Sequence, residues 1–160
     1  MMVSYIYLEK LWEFNQLRPS EQDKKQKYMK EVFAECGEDC FIELPFRANW
    51  GGKNLHFGNR VYANFNLTVV DDGEIFVGDK VMFGPNVTIA TANHPIDPSL
   101  REDAMQYNKS VHIGEKMSGL EPVRTVSGTL PTNTDGLQKH VYPLDMLLYR
   151  LANISSQPQL

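Results

Sequence analysis

The side chains of this 160-residue chain that have chemistry to offer fall in a few places. His94 precedes Pro95 in a polar stretch, 92–110, that also holds Pro98, Arg101, Glu102 and Tyr107. A neutral imidazole near pH 7 can take a proton from a hydroxyl, and a long polar loop is where such a group meets a substrate. Upstream stand Asn64, Asn66 and the acidic neighbours Asp71 and Asp72. By residue type alone, the asparagines read as corner residues and the aspartates as a solvated turn, as readily as ligand contacts. His56, His112 and His140 read as surface histidines. Cys36 and Cys40 lie four apart. They could be half a metal site or a redox pair, but no second Cys/His pair stands at zinc spacing. Two reduced thiols near a helix-to-strand join is the reading preferred here, and no metal is expected.

These groups need a scaffold, and the chain has three textures. Residues 1–38 read as helix. Ser20 is a suitable N-cap, with Glu21 and Asp23 in the first turn. Tyr28, Val32 and Phe33 follow at helical spacing, and an earlier short helix spans 8–15. Together they predict an α-helical hairpin packed on something larger.

From 41 to 114 the pattern changes. Leu55, Val61 and Leu67 are six apart, as are Ile75, Val81 and Val87, and a second register runs through Val77, Phe83 and Ile89. Gly58, Gly78 and Gly84 recur beside these columns, as do Asn59, Asp79 and Asn86. A period of six fits neither a helix nor a simple hairpin. It fits a coil with three short strands per turn, each supplying inward aliphatic residues, with about three hexads per rung. Gly, Asn and Asp suit the corners because they tolerate left-handed backbone angles. The fold class is therefore mainly β, a parallel β-helix over 39–116 interrupted by the loop at 92–110. Val111 and Gly114 restart the pattern. Residues 117–160 lose it and read as an irregular tail, with a short apolar helix at 143–151 and disorder from 155.

Bulk properties remove other classes. The net charge is −4 and no Lys/Arg stripe forms, so nucleic acid is not an expected partner. No apolar run approaches the roughly 20 residues of a membrane span. The first ten residues mix Glu and Lys with aromatics and do not make a signal peptide. Cytoplasmic residence is expected.

Several segments carry a family likeness. Pro-Phe-Arg-Ala-Asn-Trp-Gly at 45–51, Tyr-Ala-Asn-Phe-Asn at 62–66 with Val-Asp-Asp at 70–72, and Met-Phe-Gly-Pro-Asn-Val-Thr at 82–88 running into Ala-Asn-His-Pro at 92–95 resemble maltose and galactoside O-acetyltransferases. So do Glu-Phe-Asn at 13–15 and Arg-Pro-Ser-Glu at 18–21. The likeness covers roughly 8–116. It implies a left-handed parallel β-helix, a homotrimer with active sites between subunits, and transfer of acetyl from acetyl-CoA to a hydroxyl of a maltose- or galactoside-like sugar. By motif, His94 would be the general base, and Asn64 and Asp72 would contact the acceptor sugar. An Asn side chain offers both donor and acceptor to hydroxyls, and a carboxylate is a fixed acceptor. No acetyl-CoA-binding residues are assigned. Trp50 reads as a cover for the coil's end, with an aromatic platform for a sugar as the other reading.

After Lys116 the chain departs from the family, which would continue Asn-Val-Trp-Ile-Gly-Ala-Gly. Restoring one adenine after the Lys116 codon lets the bases of 117–123 encode those residues, so the tail is read as a frameshift product. In the family the later coils hold much of the acetyl-CoA site. The rival expectation is therefore a truncated, inactive hexapeptide-repeat trimer with a structural or interaction role, its last coil exposing strand edges. A metal hydrolyase on the same coil, like hexapeptide-repeat carbonic anhydrases, is a third reading. It needs histidines converging on zinc, and none stands at a spacing matching His94.

Overall fold

A computed structural model of the chain describes residues 2–95, 97–114 and 129–130. Two helices, α1 (Met2–Asn15) and α2 (Gln22–Val32), precede a run of short strands. These are β1 (Glu35–Cys36), β2 (Phe41–Ile42), β3 (Arg47–Ala48), β4 (Leu55–Phe57), β5 (Tyr62–Ala63), β6 (Thr68–Val70), β7 (Ile75–Val77), β8 (Met82–Phe83) and β9 (Thr88–Ala90). Then come β10 (Ala92–Asn93), α3 (Pro98–Glu102), β11 (Tyr107–Asn108), β12 (Val111–Ile113) and β13 (Thr129–Leu130).

Every third strand stacks in parallel. The sheets run β1-β4-β7-β12-β13, β2-β5-β8 and β3-β6-β9, so the chain coils with three strands per turn, as the hexads predict. β1 lies within the segment read as helical from 1 to 38. Stacked residues lie 20 or 21 positions apart in the coils before the 92–110 loop, and 36 apart across it from Ile75 to Val111, more than three hexads require. The excess sits at one corner. Leu55, Val61 and Leu67 keep the six-residue step, but the next inward residue on that path is Ile75, beyond an excursion at 71–74. The same corner carries 49–54 one coil earlier and the whole 92–110 loop one coil later.

Each strand sends alternate side chains inward. Both predicted columns are interior: Leu55, Val61, Leu67, Ile75 and Val81 are 0% exposed, and Val77, Phe83 and Ile89 are buried with them. Burial of this aliphatic column is the main stabilising term. The helices close its first end. Phe14 stacks on Tyr28 at 4.1 Å, and Phe33 meets Phe46 at 5.7 Å and Phe57 at 5.4 Å. These aromatics, with Met29, cover the coil; Trp50 does not.

Two local expectations need correction. Ser20 is not the cap of α2. The helix begins after Glu21, which makes no side-chain cap; its carboxylate instead accepts from the Arg18 N–H at 2.8 Å and from Lys24. The corner glycines also act differently from expectation. The left-handed non-glycine positions are Asp39, Arg60, Asn66, Lys80, Asn86 and Ala104, and among the glycines Gly51 and Gly52 also take a positive φ. Gly58 is required because a Cβ there would lie 2.9 Å from the Asp79 N and the Gly78 C of the next coil. At Gly58, close stacking of backbones rather than a positive φ selects glycine.

The tail read over 117–160, including its helix at 143–151 and its end from 155, lies outside the described residues except for β13. That strand pairs in parallel with β12, matching His112 to Thr129 and Ile113 to Leu130, so the edge of β12 is covered.

Candidate active site

The lengthened corner gathers polar side chains because its excursions stack. Asp71, at the end of β6, is 0% exposed. Its carboxylate accepts from the Trp50 N–H at 2.9 Å and the Gly52 N–H at 3.0 Å, and its carbonyl accepts from Asn54 Nδ2 at 2.7 Å. Burial raises the Asp71 carboxyl above its usual range, against the pull of those N–H donors. Asp71 is therefore a structural anchor rather than part of a solvated turn. From the far side Tyr28 donates its hydroxyl to the Gly51 carbonyl at 2.8 Å. Burial, and then the nearby Asp71 charge, push that phenol far above its ordinary range.

The turn so held aims two side chains at Asp72. Asn49 Nδ2 donates to Asp72 Oδ2 at 3.0 Å, and Trp50 Nε1 donates to Asp72 Oδ1 at 3.1 Å. A half-buried indole N–H takes an acceptor wherever one is in reach, which accounts for Trp50 standing at this corner. Lys53 lies over the Trp50 ring at 5.5 Å and over the Tyr7 ring at 5.6 Å.

The third excursion is the polar loop. Its neck is a short antiparallel ladder, Ala92 opposite Asn108 and Asn93 opposite Tyr107. Thr91 fastens the neck below: its hydroxyl donates to the Val70 carbonyl at 2.7 Å and accepts from the Gly73 N–H at 2.8 Å. Asn108 Nδ2 donates to the Asp72 carbonyl at 3.2 Å, so loop and acidic corner are tied. At the tip Asp97 caps α3 through the Ser99 N–H at 2.9 Å.

His94 emerges beside this neck, exposed. Its Nδ1 lies 2.9 Å from the Met105 carbonyl oxygen. A carbonyl only accepts, so Nδ1 carries the proton of the neutral ring and Nε2 presents its lone pair outward. That is the tautomer and orientation a general base needs.

Asn64 stands elsewhere, at the corner between β5 and β6, where its Oδ1 accepts from the Phe65 N–H at 2.8 Å. Asn66 makes a corner ladder with Asn86, Nδ2 to Oδ1 at 3.0 Å. His112 is exposed, and His56 is half-buried. His56 bonds Glu74 at 2.7 Å and stacks on Phe76 at 4.4 Å, and Phe76 stacks on His112 at 4.7 Å. His140 lies outside the described residues. Among the described residues no group of three or more His, Cys, Asp or Glu is arranged to hold a metal.

Sequence reasoning missed Asn49, Thr91, Asn108 and the Met105 carbonyl. For Asn49 the signal was available: the step from Leu67 to Ile75 breaks the six-residue period, marking a corner with surplus residues. The Met105 carbonyl had none, because a backbone oxygen has no residue signature.

No protein-family model matches the sequence. Over 112 residues the chain is 55% identical to galactoside O-acetyltransferase of Lactococcus lactis subsp. lactis (strain IL1403), a match covering 70% of this chain and 53% of that protein. Among solved structures, a galactoside acetyltransferase in complex with coenzyme A superimposes with a TM-score of 0.70 at 37% identity, covering 73% of this chain and 58% of that one. A maltose O-acetyltransferase from Clostridium difficile 630 gives a TM-score of 0.73 at 30% identity, covering 80% of this chain and 68% of that one. The chain spans about half the length of the curated relatives it matches, 53% and 52% for two of them.

Proposed function

The chain belongs to the galactoside and maltose O-acetyltransferase family, and from that premise we propose that it transfers acetyl from acetyl-CoA to a hydroxyl of a maltose- or galactoside-like sugar, with His94 as general base. The observation that carries this reading is the His94 Nδ1 bond to the Met105 carbonyl at 2.9 Å. A sugar hydroxyl is too weakly acidic to attack a thioester unaided. His94 Nε2 removes its proton as the new bond to the acyl carbon forms, and the imidazolium then returns the proton to the departing sulfur. Acetyl-CoA supplies the activated acyl group. The Met105 carbonyl keeps the ring from rotating.

Asp72 and Asn64 serve as acceptor-sugar contacts in this reading. Asn49 and Trp50 take part of the lone-pair capacity of Asp72 and fix its plane, leaving the remainder for a hydroxyl donor. Asn64 stands at a different corner from His94 and Asp72, so it meets them across a subunit boundary. This goes with a homotrimer of left-handed coils, the helices α1 and α2 forming a hairpin at one end, and with residence in the cytoplasm. Among the described residues no helix is long and apolar enough to cross a membrane.

The test couples binding to turnover. A ligand that binds only the folded state raises its melting temperature, so millimolar acetyl-CoA should stabilise the protein. Thiol release from acetyl-CoA should depend on added maltose or galactoside. His94→Ala should lower that rate by about 10²- to 10⁴-fold without moving the melting point. Absence of both shift and turnover would replace this reading with the structural one.

A further inference from the structure

We propose that Thr91 and Asn108 are positioning residues, which clasp the neck of the 92–110 loop to the acidic corner and so hold His94 in register with Asp72. That they position catalytic groups rests on the acetyl-transfer reading; the clasp they form does not. The His94 ring bonds the Met105 carbonyl, and the Asp72 carboxylate bonds Asn49 and Trp50. Neither side chain holds the other, and a full coil of chain lies between them. Their separation is therefore set by whatever ties the neck to the corner below.

Two ties do so, one to each strand of the neck. Thr91 immediately precedes β10 and is 0% exposed. Its hydroxyl donates to the Val70 carbonyl at 2.7 Å and accepts from the Gly73 N–H at 2.8 Å. It thus grips the residues on either side of Asp71 and Asp72. On the returning strand Asn108 faces Ala92, and its Nδ2 donates to the Asp72 carbonyl at 3.2 Å. Just beyond, the Lys109 N–H donates to the Thr91 carbonyl at 2.9 Å and joins the two strands. One tie alone leaves a two-stranded neck free to pivot, and a tie to each strand removes that freedom. Gly73 lets the grip close: a Cβ there would meet the Asn108 Cβ at 3.3 Å and the Thr91 Cβ at 3.4 Å.

The hydroxyl of Thr91, rather than its shape, makes the tie. Valine keeps the shape. The Val70 carbonyl then still accepts from the backbone N–H of residue 91, which lies 3.1 Å away, but the Gly73 N–H loses its acceptor. Serine keeps the hydroxyl and both bonds. Loosening the neck should act on rate more than on binding, because proton transfer needs the base aligned within a fraction of an ångström.

The experiment compares the full chain with its Thr91→Val, Thr91→Ser and Asn108→Ala variants, well below their melting temperatures. Thiol release from acetyl-CoA, with maltose or a galactoside as acceptor, is measured per folded protein. Thr91→Val and Asn108→Ala should each lower kcat by about tenfold or more. KM for acetyl-CoA should stay within about twofold of the parent, and Thr91→Ser should restore kcat. Amide hydrogen exchange, followed by NMR, needs no turnover. In Thr91→Val the Gly73 and Lys109 amides should exchange about tenfold faster or more. The Gly58 amide, which donates to the Val77 carbonyl within the coil at 2.8 Å, should keep its rate. Parent kcat in Thr91→Val, or a loss that Thr91→Ser shares, would overturn the positioning role. A parent without turnover would overturn the acetyl-transfer reading instead, and exchange then decides the clasp alone. Unchanged rates at Gly73 and Lys109, or equal acceleration at Gly58, would overturn it. Asn108 is exposed, so its alanine variant carries the kinetic test where the valine variant folds poorly.

Discussion

Replacing Asp71 by alanine tests whether the acidic corner is held as described. The carboxylate has no solvent exposure and satisfies two backbone donors, Trp50 N–H at 2.9 Å and Gly52 N–H at 3.0 Å. Leaving a buried donor without a partner costs about 1–3 kcal/mol, so two donors cost about 2–6 kcal/mol. Part of this returns, because the buried charge itself is unfavourable: burial is the largest influence on Asp71 and raises its pKa. The net loss expected is about 2–4 kcal/mol, or roughly 5–15 °C in melting temperature for a domain of this size. Asp71→Asn keeps one acceptor oxygen and should lose about half as much. Urea unfolding followed by far-ultraviolet circular dichroism measures the stability. Tryptophan fluorescence of the folded state reports the Trp50 environment, which should change because the turn no longer holds its indole on Asp72. An alanine variant within about 0.5 kcal/mol of the parent, with unchanged fluorescence, would refute the anchoring role.

Three further outcomes follow from the coil itself. Gly58→Ala places a methyl 2.9 Å from backbone atoms of the next coil, which cannot move aside as a side chain could, and should cost about 1–3 kcal/mol in urea unfolding. Asp79 accepts from the Asn59 N–H at 2.7 Å, and this bond, then the Asn59 side chain, lowers its pKa below 3.8. Its charge therefore contributes stability above pH 3.8 that is lost as pH falls through the folded value, so Asp79→Asn should weaken the fold at neutral pH and match the parent in strong acid. We also expect the gene to carry a run of adenines at the Lys116 codon, where one added base opens a reading frame of further hexads. Sequencing that finds no hexad-encoding phase downstream would remove the frameshift explanation for 117–160.

Which parts were legible depended on whether the cause was local. The inward columns were visible because a strand in a three-sided coil must bury alternate residues, and Leu55, Val61 and Leu67 record that spacing directly. The corner reading was partly wrong because two requirements share one place. Gly58 answers a close approach between coils, while the left-handed angle beside it is carried by Arg60. Residue type did not separate these, since glycine serves both. Ser20 misled for a similar reason: it had the right chemistry for a cap, but Glu21 reached the Arg18 N–H from the next position. At the candidate site, His94 could be picked out by its motif, and the Met105 carbonyl that its Nδ1 meets could not.

The placement of the site at one corner follows from what a coil can vary. Residues on the flat sides are constrained twice, inward by the packed column and along the axis by pairing with the strands above and below. A corner can lengthen without disturbing either, provided the next coil lengthens at the same place so that the excursions stack. Here 49–54, 71–74 and 92–110 do so, and the bonds from Asn49 and Trp50 to Asp72, from Gly73 to Thr91 and from Asn108 to the Asp72 carbonyl hold them in order. Asp72 and His94 thus rest on polar contacts outside the aliphatic core, and if they serve as proposed, exchanging either should change turnover with little loss of stability. Asp71 is the exception. It faces inward beneath the corner, so a buried anchoring carboxylate adjoins the one proposed to meet the acceptor sugar.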